Sequence, residues 1–423
     1  MQEGLFLYDH GLDPYDGGMF HQAPLLLPLF SSLPPPSRWL GRVVSVLIYT
    51  ALDVGIADGL FAIAHSGSAH TSRLFSSPRK DRTWQPISVA AVYLLNPYTT
   101  LACLGRPTTV FTTFFTVLSI SHACQARATT AAFALAVASY ISLSPVLLLA
   151  PIGMLCYDRV CIAATEKTPG PTVNGAQPAA APRVNQSTDL RTQPKPFPFA
   201  AAFGLVFIAT LALLLLLSRP LLPSWSFIPS VYLTLLTLPD LTPNAGLWWY
   251  FFIEMFDAFR SFFLGVFWLH MLSYSVPLCL RLKKQPLAAV VLMMGIIAIF
   301  QPYANAGDAG AWLSCLGLVG HLFERRSLPR GAPMLFAHTV TVSSMHRYTF
   351  PAVATLLYST LLGPAFHHLW IYAGSGNANF FYAITLVWSL ALLILETDTV
   401  YAALRDEWEA ERPEGKGKEV RQI

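Results

Sequence analysis

The chain has 423 residues, 54% of them hydrophobic and only 12% charged, with a formal net charge of +4. Soluble domains carry about 25% charged residues, so the composition excludes a large aqueous surface and points to an all-α, polytopic membrane helical bundle. The basic residues fall in short clusters between apolar runs, which argues against nucleic acid as a partner and makes the clusters markers of membrane orientation.

Residues 1–36 form a luminal loop. Its centre, GLDPYDGGMFHQAPLLLPLF, is broken by glycine and proline, and its start lacks the basic n-region and apolar core of a signal peptide. The first membrane half is residues 37–157. Val43 to Ala64 is its first span, interrupted by Asp53 and Asp58. An acid in hydrocarbon costs about 2.5 to 3.5 kcal/mol on insertion scales, so both should face the bundle or water. RLFSSPRKDR, 73–82, then marks the cytosolic side. Residues 87–157 divide into segments at 87–104, 108–122, 128–142 and 144–157. Several are shorter than the ~20 residues of a simple span, so tilt, burial or re-entry must help them. They return the chain to the cytosol at Asp158 and Arg159, with Gln125 and Arg127 on the same side.

Residues 158–198, rich in proline, threonine and alanine from Thr165 onward, are expected to be a disordered cytosolic linker. The second membrane half is 199–404. Ala200 to Leu217 crosses to the lumen. Ser224 to Phe263 is too polar and proline-broken to be one span: Pro239 and Pro243 stop any helix, and a continuous helix starts only after Gly246. Trp248, Trp249 and Tyr250 stand there as an aromatic belt at the mouth of a span. Leu247 to Val276 returns, closed on the cytosolic side by Arg281, Lys283 and Lys284. A hairpin of Leu287 to Phe300 and Ala309 to Phe323 has YANAGD, 303–308, as its luminal tip. Arg325, Arg326, Arg330 and Arg347 mark the cytosol again, Phe350 to Trp370 crosses outward, and Phe380 to Leu404 inward. Residues 405–423 are left as a charged cytosolic tail. About eleven crossings result, an odd number that agrees with a luminal start and a cytosolic end.

FIP at 227–229, PDLTPN at 239–244, GLWWYFF at 246–252 and EMF at 254–256 resemble the PIG-U family, a membrane subunit of the glycosylphosphatidylinositol (GPI) transamidase. HLWIYAGSGNANFFYAITL, His368 to Leu386, is similar to that family's C-terminal luminal turn, and weaker matches run from Gly4 almost to Arg405. YLLNPYT at 93–99 also matches, but GPI mannosyltransferases carry a similar NP, so it does not decide between the two. The resemblance implies a glycosyltransferase-C-like fold, an endoplasmic-reticulum membrane location, and a non-catalytic subunit with no cofactor and no metal. The implied partners are the GPI lipid, membrane lipids and the other transamidase subunits, including the protease-like catalytic chain. It further implies a membrane helix ahead of the N-terminal loop that this sequence lacks; a truncated gene model is the expected reason, and restoring the helix would make twelve crossings.

The chemistry points the same way. Transamidation attacks a peptide carbonyl with a nucleophile, usually a thiolate beside a histidine. His10 and His21 are luminal, but the luminal loops hold no cysteine, and the sequence has no HExxH or GxSxG. Cys103, Cys124, Cys156, Cys279 and Cys315 lie in or beside apolar segments without zinc-type spacing and are expected as packing residues. The alternative function is a lipid-phosphate-sugar-dependent mannosyltransferase of GPI biosynthesis. It would need acids in the first luminal loop, where Asp9, Asp13 and Asp16 are spaced by four and three rather than as a DxD pair. Acids beside glycine and proline ordinarily make turns, and function needs a site rather than a fold. A transporter would require a repeat of broken helices, and no convincing internal repeat is present.

Glu254, Asp257 and Arg260 are spaced so that neighbouring pairs touch on a helix, either as a stabilising ion pair or to orient the luminal mouth; the resemblance covers Glu254 and leaves Arg260 unsupported. In GSGNANFF the glycines give an extended or turning backbone, and residues two apart on an extended chain point to one side. Asn377 and Asn379 would then face one ligand with amides that suit sugar hydroxyls and phosphate, surrounded by Trp370, Tyr372 and Tyr382. The other reading is a capped turn with aromatic membrane anchors. In the PIG-U family this turn is associated with recognition of the GPI glycan core, which the resemblance carries to these five residues. Luminal turns at 239–247, 303–308 and 370–380, with Asp240, Asn244, Glu254 and Asp308 as supports, would hold the headgroup.

Overall fold

A computed structural model describes residues 1–16, 18–34, 38–166, 193–323 and 348–415. Arg325, Arg326, Arg330 and Arg347, most of the expected linker and the end of the tail lie outside the described residues. Among those described, the chain is helical and forms no strand beyond an isolated bridge between Thr71 and Ser76. In order, the α-helices are α1 (Gln2–Asp9), α2 (Leu26–Ser31), α3 (Trp39–His65), α4 (Pro86–Leu95), α5 (Pro97–Gly105), α6 (Thr109–Cys124), α7 (Ala128–Ile141), α8 (Leu149–Glu166) and α9 (Pro196–Ser218). They continue with α10 (Thr234–Thr237), α11 (Trp248–Ile253), α12 (Asp257–Arg281), α13 (Pro286–Phe300), α14 (Ala306–Cys315), α15 (Thr349–Ile371) and α16 (Ala378–Glu411).

Among the described residues, six helices are long and apolar enough to cross a membrane: α3, Ser144–Glu166, Pro196–Leu221, α12, α15 and α16. The chain is therefore a helical membrane protein. The pair α4 and α5 makes one further crossing only if a span can bend by 54°. Pro97 causes that bend, since it has no amide hydrogen and crowds the preceding turn. Asn96 repairs the damage: its Oδ1 accepts the Tyr98 N–H at 3.0 Å, and its Nδ2 donates to the Gly310 carbonyl at 3.1 Å and to Ser314 Oγ at 3.2 Å. Backbone freed inside a membrane has to be satisfied by protein in this way. The first three divisions expected from sequence after 87 agree closely with α4 to α7, and α6, α7 and α13 are all short apolar helices.

α13 lies at the centre. It is apolar all round and buried from Pro286 to Met293, as such a helix should be, and packs against α8, α12, α14 and α16. α3 packs on α4 and α6, α6 pairs with α7, and α15 pairs with α16. α9 and α12 bury few residues and turn most of their apolar side chains outward. The acids of the first span divide: Asp53 faces the bundle and accepts the Tyr93 hydroxyl at 2.8 Å, whereas Asp58 is exposed rather than turned inward. Cys124, Cys156, Cys161 and Cys315 are buried, with Cys103 and Cys279 half-buried, and all are free thiols.

Three expectations need correction. The helix expected to run on from Leu247 is broken at Glu254–Phe256, where Phe256 adopts an extended backbone (ψ 135°) ahead of α12. Glu254, Asp257 and Arg260 consequently do not share one helix, and Arg260 donates to the Leu238 carbonyl instead. α8 continues past Tyr157 to Glu166, so Asp158 and Arg159 lie within a helix rather than in a linker. The charged tail expected from Arg405 is the last part of α16, where Asp406, Glu407 and Glu409 are buried.

These last residues belong to a charged end of the bundle. Ser72 Oγ donates to the Lys284 carbonyl at 2.7 Å, the Arg73 N–H to Asp158 Oδ1 at 2.9 Å, and Arg281 Nη1 to Glu407 Oε2 at 2.8 Å. The clusters at 73–82, 158–159 and 281–284, expected to lie on one side of the membrane, therefore meet at one end of the fold.

Candidate functional site

At the opposite end, α11 packs against the turn between α15 and α16. Two carbonyls close this turn: that of His368 accepts from Tyr372 and Ala373, and that of Leu369 from Ser375 and Gly376. A Cβ on Gly376 would stand 3.1 Å from the Trp370 backbone nitrogen, so the close return of the chain needs glycine. Trp370 stacks on Trp249 with ring centroids 6.0 Å apart at 18°, and Tyr382 packs on Tyr250 at 4.7 Å. The Tyr382 hydroxyl donates to the Leu247 carbonyl at 2.9 Å, and the Tyr250 hydroxyl donates to Asn379 Oδ1.

The two asparagines do not lie on one extended stretch. Asn377 is extended (φ −142°, ψ 168°) and its Oδ1 accepts the Phe380 N–H at 3.2 Å, which makes it the N-cap of α16. Asn379 is already helical, and its amide turns to Tyr250. Both are exposed. Tyr372 is 73% exposed and stacks on His368 rather than joining the cluster. Trp248 and Trp249 do not form an outward belt either, being 1% exposed. The Trp248 indole N–H donates to the Phe300 carbonyl at 2.7 Å, and Trp249 is covered by Trp370.

The supporting residues build turns. Asp240 accepts the Thr242 N–H at 2.9 Å; Asn244 accepts the Gly246 N–H at 2.7 Å and donates to the Thr242 carbonyl at 3.1 Å. These are side chains standing in for backbone turn bonds. A Cβ on Gly246 would come 2.8 Å from Asn244 Oδ1 and 3.1 Å from the Pro302 carbonyl, so glycine lets this loop lie against 300–303. Asp308 sits in the first turn of α14, where its carboxylate accepts from Asn305 at 2.6 Å and from Gln301. Burial nevertheless pushes its pKa up to about 7, against the lowering effect of those two donors. Glu254 is exposed at the end of α11.

Two cavities flank the 300–303 segment. One, of about 380 Å³, is almost wholly apolar and is lined by Leu247, Trp248, Phe251, Val266, Phe267, His270, Phe300, Tyr382 and Leu386. The other, of about 250 Å³, is more polar, its lining mixing Gln301, Tyr303, Asp240 and Asp308 with Ile141, Val231, Leu235 and Pro302. Sequence reasoning missed both, and it missed Tyr250 as the partner of Asn379. A usable signal was Gln301, a lone amide directly after the apolar run of α13. Two acids of the first loop are engaged elsewhere: Asp9 accepts from Ser31 at 2.7 Å, and Asp13 accepts the Tyr15 N–H at 3.0 Å and the Ser226 hydroxyl at 2.8 Å, while Asp16 is exposed.

Residues 1–388 match the family described as GPI transamidase subunit PIG-U. A human relative, "GPI-anchor transamidase component PIGU", is 32% identical over 415 residues, covering 96% of this chain and 85% of the relative. A Saccharomyces cerevisiae relative, "GPI transamidase component GAB1", is 32% identical over 418 residues, covering 97% and 85%. A Schizosaccharomyces pombe relative, "GPI transamidase component GAB1 homolog", is 30% identical over 424 residues, covering 100% and 88%. The chain belongs to the PIG-U family of GPI transamidase subunits.

Proposed function

We propose that this chain is a non-catalytic subunit that binds the GPI lipid in the endoplasmic-reticulum membrane, presents it to the protease-like catalytic chain and scaffolds the other subunits. One observation carries this reading: Tyr382 both lines the apolar cavity and packs on Tyr250, the residue that holds Asn379. Hydroxyl and amide groups therefore stand at the mouth of a groove whose interior is apolar, an arrangement that suits an amphiphile with a sugar headgroup and hydrocarbon tails. Fixing such a lipid beside a partner's active site raises its effective concentration. Asp240, Asn244 and Asp308 shape the turns around the mouth, while Trp370 props it through Trp249.

The accompanying topology is about eleven crossings in a glycosyltransferase-C-like bundle with a luminal start and a cytosolic end. The gathering of the basic clusters at one end supports a single cytosolic face.

The test uses cells lacking the native subunit, expressing Asn379→Ala combined with Tyr250→Phe. Each lost uncharged hydrogen bond is worth about 0.5 to 1.5 kcal/mol, so GPI attachment should fall several-fold at unchanged abundance and co-purification. Full attachment at equal expression would remove the site. Mannose transfer by the purified chain alone, abolished by Asp13→Asn, would replace this reading with the mannosyltransferase.

A further inference from the structure

A third cavity, of about 580 Å³, reaches the charged end of the bundle and shares no lining residue with the two beside 300–303. α8 lines one side of it through Leu149, Gly153 and Tyr157, and α9 the other through Phe199, Ala200 and Gly204. Two hydroxyls belong to the lining, and both are served within the chain. Ser275 Oγ donates to the Leu147 carbonyl at 2.8 Å, and the Tyr157 hydroxyl to the Pro194 carbonyl at 3.1 Å. The interior therefore suits hydrocarbon and makes no polar demand of an occupant.

Glycine gives this groove its room. A Cβ on Gly204 would meet nothing within 4 Å, and one on Gly153 would make only ordinary contact with the Phe203 ring, at 3.6 Å. Glycine weakens a helix interior relative to alanine, and no described atom of the chain requires it at Gly204. The length of the groove limits what can fill it. Its lining on α9 runs from Pro196 to Gly204, about 12 Å along a helix. That is close to half of the ~30 Å hydrocarbon core, and well short of the path along which a membrane-spanning helix would pack.

The mouth of the groove is basic. The Arg73 guanidinium lies over the ring of Tyr157, 5.5 Å from its centroid, and Nη1 donates to the neutral Gln193 Oε1 at 3.2 Å. Lys195 directly precedes Pro196, and both basic residues are exposed. The nearby acid, Asp158, is buried and already held by the Arg73 N–H at 2.9 Å and by Arg159 at 3.8 Å. Among the described residues no carboxylate forms an ion pair with the Arg73 guanidinium or with Lys195.

We infer that the groove between α8 and α9 holds an acyl tail of one anionic phospholipid from the leaflet at the charged end, with Arg73 and Lys195 binding its headgroup. A slot about one leaflet deep fits a tail, and two cations without carboxylate partners at its mouth favour a headgroup with net negative charge. Under the topology proposed above this is the cytosolic leaflet, whose surface is anionic. The site stands at the opposite end of the fold from the groove at Tyr250 and Asn379. α9 buries few residues of its own, so the bound tail also fastens it to α8.

The experiment titrates the full chain in detergent with phosphatidylserine, phosphatidylcholine and soluble glycerophosphate, and counts bound lipid by native mass spectrometry. Phosphatidylserine should bind at least about 5-fold more tightly than phosphatidylcholine, the factor that one basic residue near an anionic surface supplies. Arg73→Gln combined with Lys195→Gln, both at exposed positions, should bring the two lipids to parity. Gly204→Leu, which puts a side chain where no protein atom stands, should lower occupancy by both lipids several-fold. Should that variant fail to fold, the charge variant still decides. Glycerophosphate has no tail for the groove and should not compete. Asn379→Ala should change none of these readings, so failure here and failure of the GPI-lipid site are separable. Equal binding of the two lipids, a preference that survives the double glutamine variant, or competition by glycerophosphate would overturn the inference. So would undiminished lipid occupancy in a folded Gly204→Leu, and loss of a co-purifying subunit in that variant would then assign the groove to a protein partner.

Discussion

Arg79 Nη1 donates to Asp406 Oδ1 at 2.8 Å across 327 positions of sequence, and the two side chains are 6% and 0% exposed. Arg79 also donates to Glu409, which takes a second bond from Arg405 at 2.8 Å. One guanidinium fork therefore fastens the loop after α3 to the last turns of α16. Arginine suits this position because its planar donors can serve two carboxylates at once. Removing it would leave the buried Asp406 without its guanidinium partner, a loss of the kind that costs about 3 to 5 kcal/mol, while Glu409 keeps Arg405. Arg79→Met is expected to lower the melting temperature of the purified chain markedly and to reduce its abundance in cells, with Arg79→Lys intermediate. A melting temperature unchanged in Arg79→Met would mean that the pair contributes nothing to the fold.

The Asp308 carboxyl predicts a pH dependence. Its folded pKa, about 7, lies above the ordinary value of 3.8, so the folded state holds the proton more tightly than the unfolded one. The stabilising contribution is complete below about pH 4 and is lost as pH rises through 7. In Asp308→Asn this slope should flatten, leaving the variant relatively more stable than wild type above pH 7. Melting temperatures of both proteins from pH 5 to 8 provide the check; parallel curves would show that Asp308 does not titrate in this range.

Asn377 and Asn379 should behave differently although they are two residues apart. Asn377 caps α16, and replacing such a cap with alanine costs about 0.5 to 2 kcal/mol. Asn377→Ala should reduce abundance and assembly together with GPI attachment, and Asn377→Ser should restore all three. Asn379→Ala should reduce attachment alone. Quantifying attachment against co-purified partner subunits separates the cases, and equal loss of both quantities in Asn379→Ala would assign that residue to structure.

Tags placed at Ala179 and at Gly415 are expected on the same, cytosolic, side in sealed microsomes. The ion pairs of Arg281 with Glu407 and of Lys284 with Glu411 draw the 281–284 cluster to the end of α16, and the positive-inside rule puts such clusters in the cytosol. Protection of one tag and exposure of the other would remove a crossing from the second half.

Much of the helix pattern is legible in the sequence because its causes are local. Pro97 breaks the α4–α5 pair, Pro239 and Pro243 keep the chain out of helix between α10 and α11, and the apolar runs of α6, α7 and α13 end near where their hydropathy ends. The blocks PDLTPN, GLWWYFF and GSGNANFF are likewise local, and they carry the resemblance to the family.

What these segments do to one another was decided only by the tertiary structure. Tyr250 reaches Asn379 across 129 positions, Trp249 is buried by Trp370 instead of facing headgroups, and Asp406 and Glu409 are drawn from an expected free tail into the fold by Arg79. The more polar cavity takes its lining from the N-terminal loop, α6, the 238–247 loop and the 300–308 turn, segments whose spacing in sequence says nothing of their meeting. The physical reason is that backbone preferences act over a few residues, whereas pairing of polar groups depends on the packing register of whole helices. In a membrane an apolar side chain is served equally by lipid or by a neighbouring helix, so hydropathy marks a span without saying which of its faces is covered.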